Sequence, residues 1–401
     1  MYRNRNVSTV IVASIFNSFA FSILWFSTTW LVYGLGGSNT VLGQILGVTS
    51  LLSIFSSFIA SYLADRYRKD VIVIIGGIIG LMGIYLLSVS HDLTTVFIGQ
   101  LLSSIGSGSS HPIVVAILSD SLPSKNRTKV FGTQFLLSES SSAVGSIVGF
   151  FVYQGMSSVD IGSLNLDLIR LMMSIAFFSY LMVIILYALF LRDKHAITFE
   201  EEGSVSNASG DSFVKGALSI VGLSLLSAFI IGFGAGISIP YFPRFFFDIY
   251  KIDLASLSLL MSGVSIFTAL WGKFTANMAH HVGHIKIIVL NQIVSVTLLY
   301  ILATYPPIYF ALATLIIRNA VMNGVGSVAT SVLMEYSPRS YRSKISAINQ
   351  ISWLVFFSLG NIIGGRAVDL YGFRIPIIST ATLYLIATLL YVQIGRIIKS
   401  T

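Results

Sequence analysis

Apolar residues in this chain come in long runs rather than in alternation. Stretches of twenty or more predominantly apolar positions recur along its whole length, separated by short polar segments. Each run is long enough to cross a hydrocarbon core of about 30 Å as a helix. The pattern predicts helices over 8–33, 41–64, 71–90, 94–118, 129–153 and 168–191. After a polar interruption it predicts six more, over 216–239, 254–277, 285–304, 308–334, 345–366 and 375–398. A closed barrel would alternate polar and apolar positions, and these segments do not. The expected fold class is therefore an all-α membrane protein with twelve transmembrane helices.

Composition agrees with that expectation. Of 401 residues 55% are hydrophobic and 10% charged, against roughly a quarter charged in an ordinary soluble domain. The net charge of +8 invites a nucleic-acid reading, but the basic residues follow the alternation of the loops. Apart from Arg318, only Arg170, Arg244, Lys251, Arg366 and Arg374 fall in the segments and span flanks of one side, and the other Lys and Arg fall in those of the other side. Short-loop Lys/Arg bias marks the cytoplasmic side, so both termini are expected there. A plasma-membrane location with lipid rather than nucleic acid as the partner follows. With no cysteine, disulfides, thiolate metal sites and cysteine nucleophiles are excluded. The first run is too long for a signal h-region, and no small-residue cleavage site follows it, so it reads as a retained span.

The polar interruption "RDKHAITFEEEGSVSNASGDSFVKG" (192–216) falls near mid-chain. Its Ser, Asn and Gly mark a linker, dividing the chain into helical bundles over 1–191 and 216–401 joined through 192–215. An internal repeat supports the division. At an offset of 215 residues Asp120 meets Glu335, Pro123 meets Pro338, Arg127 meets Arg342, Lys129 meets Lys344, and Gly145 and Gly149 meet Gly360 and Gly364. Duplicated helical bundles of this kind are transporter architecture.

Several segments resemble signatures of the major facilitator superfamily, with its drug and solute efflux branches nearest in general character. "SYLADRYRKDVIV" (61–73) resembles the family's loop between spans 2 and 3. "DSLPSKNR" (120–127) and "EYSPRSYR" (335–342) resemble its helix-end acid, proline and arginine after spans 4 and 10, and "GGRAVDLYGFR" (364–374) its Gly-rich end of helix 11. The resemblance implies two pseudo-symmetric six-helix bundles opening alternately to either side. It also implies a cytoplasmic gate in which Asp65 and Arg66 form an ionic cluster with Asp120 and Arg127, mirrored by Glu335 and Arg342. A purely topological role for these charges is the plainer alternative. The family's helix-5 antiporter pattern is half present: Gly145 and Gly149 are there, with Phe150 in the place of proline. The second half has His280 and His281 where the Asp-Arg pair would stand. With His284 they could bind metal or sense pH, but no carboxylate accompanies them, and a plain loop is the expected reading.

Two strongly ionisable groups stand deep inside the spans, Glu139 on helix 5 and Arg318 on helix 10. A charge near mid-bilayer costs about 2.5–3.5 kcal/mol on insertion scales and usually marks a pathway. Glu139 could take and lose the coupling proton, with Arg318 tuning it and His111 as a second titratable group. A fixed ion pair, or hydrogen bonds from the surrounding serines, is the structural alternative. On helix 4, Gln100, Ser104, Ser107 and His111 share one face, and Pro112 interrupts the backbone hydrogen bonding there. Asn17, Phe21, Trp25 and Thr28 share a face of helix 1, and Asn319 and Asn323 follow Arg318. These are the expected cavity residues, whereas Ser138, Ser141, Ser142 and the nearby glycines read as helix packing.

"GSGSSHP" lacks the Gly-Lys-Ser/Thr ending of a phosphate loop, so neither ATP-driven transport nor any cofactor or metal is expected. Nor is any catalytic cluster visible at a helix end. The expected function is proton-coupled export of a small, amphiphilic or toxic organic solute by a monomeric secondary transporter. A proton-coupled uptake symporter for an organic acid or sugar is the first alternative, and a non-transporting sensor on the same scaffold is one from another class.

Overall fold

The computed structural model describes residues 5–122, 124–154, 164–192, 211–337 and 342–400. The first half contains α1 (Arg5–Gly34), α2 (Asn39–Ala64), α3 (Lys69–Ser88), α4 (Leu93–Asp120), α5 (Ser124–Tyr153) and α6 (Leu166–Phe190). The second begins with α7 (Asp211–Ser238), a 3₁₀ turn (Ile239–Tyr241) and α8 (Phe242–Tyr250). It continues through α9 (Leu254–Val282), α10 (His284–Leu302), α11 (Ile308–Gly324), α12 (Gly326–Tyr336), α13 (Arg342–Tyr371) and α14 (Arg374–Ser400). Twelve segments of these are long and apolar enough to cross a membrane, with α7–α8 and α11–α12 each counting as one. The all-α, twelve-span class is thus what the chain adopts. Most of the expected linker lies outside the described residues, but 211–215, expected within it, are already part of α7.

Local chemistry sets several helix ends. Ser38, Asp92 and Asn165 cap α2, α4 and α6 by accepting from backbone N–H groups one turn in, donors that a helix cannot satisfy internally. Three further departures from the sequence expectation have a clear local cause. Pro240 stops α7, yet the chain re-forms as α8 because its aromatic run has burial to gain: Tyr241, Phe242, Phe245, Phe246 and Phe247 are all buried. A run this short is below span length, so the apolar pattern alone predicts only a connection there. The tenth span breaks between α11 and α12 at Val325, which is flanked by Gly324 and Gly326, both poor helix formers. Finally α9 continues to Val282, past the predicted stop at 277, and only Gly283, at a φ of 99°, turns the chain into α10. The histidines therefore sit on helix ends rather than in an open loop.

The chain forms two compact units, residues 1–201 with 246–265, and residues 202–245 with 266–401. In the first, α3 lies against α4 at backbone contact distance: a Cβ on Gly106 would meet the Cα and N of Gly80, and one on Gly83 would meet Ser103 and Gly99. Gly145 brings α5 onto α1 at Phe19 and Ser22. In the second unit Gly360 and Gly364 bring α13 onto α7 at Phe233, Gly236 and Ile237. The repeated GxxxG pairs thus seat corresponding helices at Gly145 and Gly360. Gly149 departs from the parallel, since it faces Ser258 of α9. Between α10, α12 and α14 the second unit packs Ile287, Ile288, Val325, Val328, Val332 and Ile394 into one apolar cluster.

Candidate functional site

Glu139 lies at the middle of α5, half-buried, and no described residue donates a hydrogen bond to it or pairs with its charge. Two of the serines around it are committed elsewhere. Ser141 Oγ donates to the Ile15 carbonyl at 2.7 Å and Ser142 Oγ to the Ser18 carbonyl at 3.3 Å, both on α1. Ser146 uses its carbonyl to accept from Ser258 Oγ at 2.8 Å. The serines therefore fasten helices, as their spacing with glycine suggested, and leave the carboxylate alone. A cavity of about 590 Å³ between α1, α5 and α6, lined by Phe16, Phe19, Ser140, Val144, Phe178 and Met182, occupies another face of α5 and does not include Glu139.

Helix α4 presents its polar stripe as the sequence arranged it. Gly106 and Ser110 face α3, the latter through a 3.2 Å hydrogen bond to the Val73 carbonyl, and Gly108 faces α2 at Ser53 and Ser56. The remaining face carries Gln100 and Ser104, partly accessible, and Ser107 and His111, exposed. Among the described residues His111 has no hydrogen-bond partner, and Pro112 beside it cannot donate to the turn before. On α1, Asn17 and Trp25 are partly accessible and Phe21 is exposed, whereas Thr28 is buried and leaves that face.

Arg318 is placed differently. Only 3% of its surface is accessible. Its Nη1 donates to Asn319 Oδ1 at 3.1 Å and its Nη2 to the Tyr384 hydroxyl at 3.0 Å. The guanidinium lies 5.9 Å from the Phe242 ring centre and 5.5 Å from that of Tyr384. Asn319 is itself oriented by donating Nδ2 to the Leu315 carbonyl at 2.9 Å. Asn323, one turn on, is exposed and separate from this group. Tyr384 and Phe242 were missed in the sequence because each joins from a distant helix. The available signal was a tyrosine deep inside the last apolar run.

At the helix ends the charges pair in an unexpected way. Of the residues expected to cluster, Asp65 and Arg66 with Asp120 and Arg127, Asp120 takes Lys69 Nζ on its Oδ2 at 2.8 Å. Lys69 opens α3 and Asp120 closes α4, so the close packing of these two helices brings that pair together. Arg66 instead stacks 4.4 Å over the Tyr62 ring, and Asp65 is exposed without an ion pair among the described residues. Asp70, overlooked in the charge run, is buried and takes Arg68 in a two-pronged contact at 3.2 and 2.7 Å. Glu335 is exposed, and the side chains of Arg127, Arg342 and His280 lie outside the described residues. Among the described residues no group of three His, Cys, Asp or Glu could hold a metal ion.

Twelve apolar spans, glycine-seated helix pairs and polar side chains held within the spans define a multi-pass membrane protein. The Major Facilitator Superfamily model matches residues 10–220 and 224–396, and the chain belongs to that family. Multidrug resistance protein 1 of Bacillus subtilis (strain 168) is 22% identical over 347 residues, 83% of this chain and 82% of that protein. Quinolone resistance protein NorA of Staphylococcus aureus is 26% identical over 119 residues, only 30% of either chain, so the match spans under a third of that relative's length. In fold, the chain resembles a point mutant of the nucleoside transporter NupG (TM-score 0.77, 11% identity, 97% and 99% coverage). It also resembles a bacterial homologue of the human lysosomal transporter Spinster (TM-score 0.75, 14% identity, 99% and 98% coverage). Both of these solved structures are of transporters, and the likeness shows that this chain shares their fold.

Proposed function

We propose that the chain exports a small organic solute across the cell membrane by proton-coupled alternating access, with both termini in the cytoplasm. The observation that carries this reading is Glu139: a carboxylate at mid-span with no donor and no counter-ion among the described residues, although serines surround it in sequence. An intramembrane carboxylate that is not tied into a fixed pair is free to change protonation as its surroundings change. His111, equally unpartnered on the open face of α4, is the second group able to relay a proton. The solute surface is assigned to Asn17, Phe21, Trp25, Gln100, Ser104 and Ser107, which combine aromatic area with a few hydrogen-bonding groups. Export is favoured over uptake by the relatives whose names record quinolone and multidrug resistance.

The test is solute-induced collapse of a pH gradient in everted membrane vesicles, using a panel of aromatic acids, amines and quinolones. At least one solute should discharge the gradient with the wild type, and Glu139→Gln should abolish the discharge while solute binding persists. A discharge unchanged in Glu139→Gln removes Glu139 from the mechanism. Solute-driven proton entry seen only when the solute is supplied from the external face would instead identify an uptake symporter.

A further inference from the structure

Arg318 is a buried cation whose charge its own half of the protein does not balance. From residue 216 to 401 the chain contains four carboxylates, Asp248, Asp253, Glu335 and Asp369, each at or near a helix end, whereas Arg318 is deep in its span. No described carboxylate pairs with it, and its Nε–H is buried with no acceptor among the described residues. A guanidinium does not shed its proton inside a protein, and an uncompensated buried charge is among the most expensive features a fold can hold. The groups that touch it offset this only in part. Asn319 and Tyr384 supply neutral oxygens to two of its five N–H donors, and two aromatic rings supply cation–π attraction. Tyr384, having accepted from Nη2, keeps its own hydroxyl proton to give. The result is a preoriented set of donors, N–H and O–H, around a fixed positive charge, beside the Phe242 ring.

From this geometry we propose that Arg318, oriented by Asn319 and assisted by the Tyr384 hydroxyl, binds a carboxylate or sulfonate group of the transported solute, with Phe242 against the solute's apolar body. The planar fork of a guanidinium matches such oxyanions bidentately, so the solute itself supplies the missing counter-ion. The inference deepens the proposed function and rests on the chain being a solute transporter, but on neither the direction of transport nor its coupling.

The experiment measures binding of radiolabelled 2-naphthoate, 2-naphthylmethanol and 2-naphthylmethylammonium to the full-length protein in lipid nanodiscs at neutral pH. These probes share one apolar body and differ in charge. Wild type should bind naphthoate about ten- to a hundredfold more tightly than the alcohol, the range expected of a charged hydrogen-bonded contact. Arg318→Gln should bring naphthoate down to the level of the alcohol and leave alcohol binding unchanged, and Tyr384→Phe should weaken naphthoate alone. Where Arg318→Gln does not fold, Arg318→Lys, which keeps the charge and loses the fork, should still weaken naphthoate selectively. The proposal is overturned if wild type shows no preference for naphthoate over the alcohol, whether both bind equally or neither binds. It is equally overturned if the preference survives in Arg318→Gln or is undiminished in Arg318→Lys, which would make Arg318 a structural anchor for Phe242 and Tyr384. Failure of proton-coupled export is read separately in the vesicle assay and leaves these binding ratios untouched.

Discussion

Serine and glycine perform similar tasks in this protein with very different energetic weight. Ser141 donates to the Ile15 carbonyl across the α1–α5 contact, and hydrogen bonds between membrane helices contribute on average about 0.6 kcal/mol. Ser141→Ala should therefore lower stability by roughly that amount, a small shift in the unfolding midpoint of the detergent-purified protein. Gly106 has no such latitude, because a side chain there would meet backbone atoms of Gly80 and Gly76, which cannot rotate away. Gly106→Val should cost at least the upper part of the ~1–3 kcal/mol range for overpacking, and the same unfolding measurement checks it. The small residues near Glu139 were legible in sequence as a packing surface, and they prove to be one. What could not be read was that the Ser141 and Ser142 hydroxyls would be engaged by backbone carbonyls of α1, while no described residue donates to the glutamate. That depends on where the carbonyls of α1 fall in three dimensions. The surroundings of Arg318 were hidden for the same reason: Tyr384 stands 66 residues away in the chain.

Helix ends and interruptions follow local rules, so most could be located from the residues alone. Asp92 caps α4 by accepting from the Thr95 N–H and the Thr95 hydroxyl, both at 2.8 Å. The Thr95 backbone N–H first, and then its hydroxyl, hold the Asp92 carboxyl below its ordinary value. A carboxyl whose folded value is depressed stabilises fully above the unfolded value, about 3.9, and that contribution fades as pH falls through the folded value. Asp92→Ala should accordingly melt earlier than wild type at neutral pH, the gap narrowing once the pH is below about 3.9. Asp92→Asn, which keeps an acceptor, should show a smaller deficit at neutral pH. Elements whose existence depends on distant packing were less legible. The aromatic segment of α8 is too short to announce a span, and only the burial of its phenylalanines explains why it is helical. The break at Val325 is intermediate: Gly324 and Gly326 signal it, but an apolar run that continues on both sides masks it. Gly326 has open space where a Cβ would stand, so Gly326→Ala should raise stability by about 0.4–1 kcal/mol through lost freedom of the unfolded chain.

Across the whole molecule, the repeat has kept its packing devices in both halves while the charges within the spans have diverged. Gly145 and Gly360 seat corresponding helices, yet the position that matches Arg318 at the same offset is Ser103, and the half that holds Arg318 has no mid-span carboxylate of its own. Glu139 belongs to the first half and Arg318 to the second, and the roles proposed for them are separable. If Glu139 carries the proton and Arg318 the anionic group of the solute, the two substitutions should fail in different ways in proteoliposomes. Glu139→Gln should lose accumulation driven by a pH gradient but retain exchange of labelled for unlabelled solute, since exchange requires binding and conformational change without net proton movement. Arg318→Gln should lose both for anionic solutes, with apparent affinity down about ten- to a hundredfold, while neutral analogues of the same shape keep their exchange rate. One charge moved across 100 mV is worth about 2.3 kcal/mol, so even a single proton per cycle gives a wild-type accumulation large enough for its loss to be unmistakable. Should Glu139→Gln abolish exchange together with driven transport, the carboxylate would be part of the solute site itself, and the division of labour between the halves would have to be abandoned.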